Sequence, residues 1–207
     1  MLTNINRTII SNKQNKYIVV HYTANNGDTA KNNCVYFRDV NRQASANYFV
    51  DENEIWQCVR DEDVAWHCNT TKKYYHKECR NNNSIGIELC SRKDANGKYY
   101  FKKETIENAQ KLIAYLMVKY DIPLQNVVRH YDITRKKCPA PFVDNIMQWQ
   151  QFKDDIYFVE NILFLKQKGR LTDAQTWVIK SFEQNKNLKF LFNKWALDVK
   201  TIDSLKQ

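Results

Sequence analysis

Two short β-branched runs, far apart in the chain, each stop directly on a histidine. Tyr17-Ile-Val-Val20 has the make-up of a buried strand and ends on His21-Tyr22-Thr23, and Val127-Val128 runs likewise into Arg129-His130. A core strand delivers the residue at its end to a fixed edge of the sheet, so one sheet holding both runs brings two imidazoles together. Cys138 lies eight residues after His130. Two imidazoles and a thiolate are three good zinc ligands, and three leave a coordination position open for water. Spacing alone also admits a plainer reading, two hydrogen-bonded histidines and a buried free thiol.

The segments between them alternate in type. Asn26-Gly27 marks a turn, Asp28 or Thr29 can cap a helix starting there, and Val35, Phe37 and Val40 lie along that predicted helix. Tyr48–Val50 and Ile55–Val59, separated by Asp51–Glu54, read as a β-hairpin, and Ser84–Cys90 as a further strand. Ile106, Ala109, Ile113, Leu116, Met117 and Tyr120 recur at helical spacing, with Pro123 closing that helix from outside. The expected fold class is therefore α/β, a central mixed β-sheet flanked by helices. Pro139 and Pro141 interrupt it, and from about Asp144 the chain reads as an additional C-terminal helical segment. There Gly169 can stop one helix and Thr172 or Asp173 start another, while Trp177, Phe182, Phe190, Phe192 and Trp195 supply apolar surface.

Composition narrows the function classes. The chain has 207 residues, 13% of them aromatic, which fits a folded body with one sizeable core and excludes a disordered tail. Four Gly and three Pro leave no long flexible linker, so any second module is closely joined. A net charge of +9 steers toward a polyanion such as nucleic acid, acidic lipid or an acidic wall. The basic residues are scattered, with Arg135-Lys136-Lys137 their longest run, unlike the dense block of a nucleic-acid arm. No apolar run approaches the roughly 20 residues of a membrane span, and Met1–Lys13 lacks the apolar core of a signal peptide. Cytoplasmic synthesis is the expectation, with neither nucleic acid nor a membrane interior as partner. The six Cys form no CxxC pair; Cys68 and Cys79 bracket a polar loop that a disulfide could staple, and the sequence leaves that open.

Five ordered blocks, VVHYTAN, ASANYFVD, DEDVAWHC, NSIGIEL and RHYDITRKKCPAPF, fall within residues 17 to 145. Together they resemble the zinc-dependent N-acetylmuramoyl-L-alanine amidases, the family of T7-type phage lysozyme and the peptidoglycan recognition proteins. The resemblance implies a groove for bacterial peptidoglycan with one Zn2+ per chain at its floor. His21, His130 and Cys138 match the metal ligands. Lys136 matches the family's catalytic Lys, and Glu88 a Glu that some members use as general base. Asn47 stands where many relatives place His or Tyr near the metal; Asn does not titrate, so more of the acid–base work falls on Glu88. Tyr22, Asn47, Trp66 and His67 are the expected substrate-binding residues, with a core Trp beside a supporting His as the other reading of Trp66-His67.

The implied activity is hydrolysis of the bond between N-acetylmuramic acid and L-alanine, by a phage endolysin that reaches the wall through a holin-type pore or by a bacterial autolysin. A non-catalytic peptidoglycan-binding protein is the alternative, disfavoured because such relatives typically lack the Cys ligand. Residues 1–150 are the expected catalytic domain and 155–207 a helical module that adds cell-wall affinity.

Overall fold

The computed structural model describes residues 2–167, with side chains to residue 156. In chain order the elements are β1 (Arg7–Thr8), β2 (Tyr17–Tyr22), α1 (Ala30–Asp39), β3 (Tyr48–Val50), β4 (Ile55–Gln57), β5 (Val64–Ala65) and β6 (Ser84–Leu89). They continue with β7 (Arg92–Lys93), β8 (Tyr99–Tyr100), α2 (Lys103–Tyr120), β9 (Val127–Arg129), α3 (His130–Thr134), α4 (Ala140–Asp144) and α5 (Ile146–Gln167).

The central sheet has the order β4-β3-β6-β2-β9. β2 runs parallel to both β6 and β9, β3 runs parallel to β6, and β4 closes an antiparallel hairpin on β3. This is the mixed sheet of the expected α/β class. Ile18, Val19 and Val20 are all fully buried, as a central parallel strand covered on both faces requires. On one face Ile18, Val20, Ile85, Ile87 and Leu89 meet the apolar side of α2, including Leu112, Ile113 and Leu116. On the other, Tyr17, Val19 and Val128 pack with Cys68, Cys79 and Ile133.

Local signals set the ends of these elements. Thr29 Oγ1 accepts the Asn32 N–H and caps α1, and the Asp51 carboxylate accepts the Ala30 N–H at 2.7 Å. At the end of α2, Asp121 takes a left-handed conformation and returns its N–H to the Met117 carbonyl. The predicted strand Ile55–Val59 ends at Gln57, because the Cys58 and Val59 N–H groups both turn to the Asn47 carbonyl.

The domain boundary expected between residues 150 and 155 falls inside α5. Trp149, Phe152 and Ile156 belong to the main core, so α5 packs on the sheet domain across that expected boundary at least as far as Ile156. The stop at Gly169, the start at Thr172 or Asp173 and the aromatic residues from Trp177 to Trp195 lie outside the described residues. All six cysteines are buried and none is in a disulfide, so Cys68 and Cys79 form no bridge here. Among the described residues no helix is long and apolar enough to cross a membrane.

Candidate active site

Strand register assembles the site. His21 on β2 is the direct partner of Glu88 on β6, and Val20 is the partner of Arg129 on β9, so His130 emerges one step past the strand beside His21. Side chains alternate along a strand, which gives Ser84, Gly86 and Glu88 a common face of β6. After α3, Arg135 adopts a left-handed conformation that turns the chain back, and the Cys138 carbonyl accepts the Tyr131 N–H at 2.8 Å. Cys138 thereby returns to the strand ends, its Sγ 3.7 Å from His21 Nδ1.

The rings of His21 and His130 lie edge to face with centroids 4.7 Å apart. One donor atom from each of His21, His130 and Cys138 falls within 4.8 Å of the others, and all three residues are buried. Burial holds His21 well below the usual imidazole range, with His130, His67 and Lys136 adding to the effect. Burial, then Lys136, lowers His130 to about 4. The Cys138 thiol is pushed up to about 12 by burial and by Glu88. The cluster as it stands is two neutral imidazoles and a protonated thiol. His130 Nδ1 is buried and makes no hydrogen bond, a polar atom whose burial is penalised unless something is bound there. Two nitrogens and a soft sulfur at this spacing can hold a metal ion.

Glu88 stands beside the cluster with Oε2 buried and without a hydrogen-bond partner. Burial raises its carboxyl to about 8, against the pull of Lys136 and with a smaller push from Asp28. Lys136 is exposed at the rim. A groove of about 700 Å³ opens above these residues, its wall including Asp28, Asn33, Tyr36, Phe49 and Lys137. A second arm of about 630 Å³ runs toward Lys72, Tyr75 and Arg135, and the two share Trp66, His67, His130 and Lys136.

The expected substrate-binding residues divide. Trp66 is half-buried on the wall of both arms, its indole N–H fixed to Thr8 Oγ1 at 2.9 Å. Tyr22 borders the groove, and its ring lies edge-on to Tyr99. His67 touches the groove but spends both nitrogens behind the cluster, Nδ1 at 3.1 Å from His21 Nε2 and Nε2 at 3.1 Å from Ser84 Oγ. Asn47 lies apart from the groove. It is fully buried and lines neither arm; its side chain accepts the Gly86 N–H at 2.9 Å and donates to the Arg60 carbonyl at 3.0 Å. A fully committed amide clamps the backbone and has nothing left for a ligand. Sequence reasoning passed over Ser84 and Gly86, although their alternation with Glu88 was the available signal.

Residues 11–141 match the family model described as N-acetylmuramoyl-L-alanine amidase. The chain belongs to this family. It is 35% identical over 174 residues to the N-acetylmuramoyl-L-alanine amidase CwlL of Bacillus licheniformis, covering 80% of this chain and 46% of that one. A solved structure of a mutant endolysin from Bacillus subtilis superposes with a TM-score of 0.57 at 31% identity, covering 75% of this chain and 99% of that one. The E. coli N-acetylmuramyl-L-alanine amidase AmiD, solved with its substrate anhydro-N-acetylmuramic acid-L-Ala-D-γ-Glu-L-Lys, superposes with a TM-score of 0.51 at 29% identity, covering 70% and 59%. The chain spans about half the length of the curated relatives it matches. The amidase match ends at residue 141, just before α4 gives way to α5, so the core helix α5 lies outside it.

Proposed function

We propose that the chain is a zinc-dependent amidase that hydrolyses the amide between N-acetylmuramic acid and L-alanine in peptidoglycan, acting on the wall as an endolysin after release from the cell. The observation that carries this reading is the buried His21, His130 and Cys138 cluster at the floor of a groove, with an unpartnered carboxylate beside it. His21, His130 and Cys138 would hold the zinc, which when bound supplies Lewis acidity toward a carbonyl and makes water more acidic.

The chain's own groups cover the remaining needs of amide hydrolysis. The Glu88 carboxylate takes the proton of the attacking water and returns it to the departing nitrogen of L-Ala, which is a poor leaving group until protonated. A carboxyl raised to about 8 is suited to both directions of that transfer near neutral pH. The Lys136 ammonium reaches in from the rim to the oxyanion of the tetrahedral intermediate. Trp66, held by Thr8, offers a fixed apolar wall to sugar or stem peptide. Residues beyond α5 would add wall affinity through a second attachment point.

Digesting purified peptidoglycan and identifying the new ends by mass tests the reading. Free lactyl groups and new L-Ala amines are expected; new reducing sugar ends would make the enzyme a glycosidase. The ligand set has its own check. Because both imidazoles are already neutral and the thiol is protonated, zinc uptake near neutral pH should release at least one proton, from Cys138, with the Glu88 carboxyl adding its own as the cation arrives beside it. Calorimetry in two buffers of different ionisation enthalpy measures that number, and a value near zero would remove the thiol from the set.

A further inference from the structure

A histidine can ligate a metal only through a bare nitrogen, and a neutral imidazole has two tautomers that differ in which nitrogen is bare. His21 turns Nδ1 toward Cys138 Sγ, while Nε2 faces the other way onto His67 Nδ1. His67 continues the line through Nε2 to Ser84 Oγ, and the Ser84 hydroxyl lies 2.6 Å from the backbone carbonyl of Arg80. The last member fixes the direction of every bond before it. A carbonyl oxygen only accepts, so Ser84 donates its single proton to Arg80. The hydroxyl oxygen then offers His67 lone pairs alone, and His67 Nε2 must carry that ring's proton. His67 is therefore bare at Nδ1 and accepts the His21 Nε2–H, which leaves His21 Nδ1 bare toward Cys138. The thiols of Cys68 and Cys79 also lie against Ser84, but the Cys68 S–H is committed to Asn81 Oδ1 at 3.0 Å, and sulfur is too weak an acceptor to draw the Ser84 proton away from the Arg80 carbonyl at 2.6 Å.

The line is also held in place. A Cβ on Gly86 would stand 2.6 Å from His67 Cγ, so the imidazole can lie on β6 only because that residue is glycine. Asn47 grips the same strand position, accepting the Gly86 N–H and donating its own N–H to the Gly86 carbonyl at 3.0 Å. Ser84 is fully buried and His21 nearly so, which leaves no bulk water to supply alternative partners.

We infer that Ser84 and His67 are positioning residues, which lock His21 in its Nε2–H tautomer and so keep Nδ1 available to a metal ion. The metal half of this inference rests on the zinc reading above; the tautomer half does not.

The test pairs long-range 1H–15N NMR of the imidazoles in the zinc-free protein with zinc titration against a chromophoric chelator. In the wild-type protein both His21 and His67 should be protonated at Nε2. Ser84→Ala removes the acceptor for His67, so His21 should shift toward protonation at Nδ1 and zinc should bind about 10- to 100-fold more weakly. Ser84→Thr, which restores the hydroxyl, should recover both readouts. A purely structural Ser84 would leave the tautomers alone. Wild-type His21 protonated at Nδ1 overturns the inference whatever the variants do, as does Ser84→Ala with an unchanged His21 spectrum and unchanged zinc affinity. If the wild-type protein binds no zinc while His21 shows the Nε2–H tautomer, the zinc reading fails and the relay stands.

Discussion

Glu88→Gln is expected to lower hydrolysis by roughly 10² to 10⁴, the range for loss of a general acid–base group, while making the metal-free protein more stable at pH 8. The two effects have one cause. Burial raises the Glu88 carboxyl from 4.5 to about 8, so between those values the folded chain keeps a proton that the unfolded chain has released. Where the folded state binds more protons, stability falls as pH rises, and the loss is complete once the buried carboxylate is ionised above about 8. Gln has nearly the same shape and no proton to lose. The variant's advantage should therefore be absent at pH 4 and grow through pH 6 to pH 8. Urea unfolding of chelator-treated wild-type and variant protein at these three pH values measures it, beside a muropeptide assay. Equal pH slopes would mean that the carboxylate is better solvated than its unpartnered Oε2 indicates. Retained hydrolysis would place the base elsewhere.

A carboxylate that weakens the fold it sits in is the expected mark of a site held for chemistry. Glu88 was legible only through the family resemblance carried by the NSIGIEL block, whereas His21 and His130 were legible because each follows a β-branched run. The register that makes them neighbours was not legible, since His21 to Glu88 and Val20 to Arg129 are long-range pairings. Asn47 shows the limit most clearly. A short amide just before a strand looks the same whether it faces a groove or grips a backbone, and only the arrival of Gly86 opposite it decides. Ser84 is similar: its importance comes from His67, which approaches from a loop far along the chain and has no sequence relation to it. The packing of α5 on the core differs, because its signal was present. Trp149, Phe152 and Ile156 follow the same i, i+3, i+7 spacing that identified α2, and they face the same core.

Cutting the chain after Asn145 should for that reason unfold the protein, whereas a chain ending at Gln167 should fold and remain active on small substrates. The shorter cut removes Trp149, Phe152 and Ile156, which are 6%, 2% and 0% exposed. Phe142 would lose two of its three aromatic neighbours, Phe152 at 4.9 Å and Trp149 at 5.6 Å between ring centroids, and keep Phe101 at 5.2 Å. Gln110, buried on α2, would lose the Phe152 carbonyl at 3.2 Å and the Asp155 carboxylate at 3.3 Å, leaving an unsatisfied amide. Truncating a buried Phe or Trp costs about 3 to 5 kcal/mol and a buried Ile about 2 to 5, so three together rival the about 5 to 15 kcal/mol that stabilises a whole domain. Circular dichroism and thermal melting of the two truncated chains against the full chain report the outcome. A cooperative melt from the chain ending at Asn145 would show that α5 is dispensable and would support a boundary near residue 150. The chain ending at Gln167 isolates the wall-affinity proposal, because its described core is intact. It should cleave soluble muropeptides at the full-chain rate yet sediment less completely with whole walls, since a soluble fragment engages only the groove while an insoluble polymer rewards a second contact through effective concentration. Equal sedimentation of the two proteins would assign all wall binding to the groove.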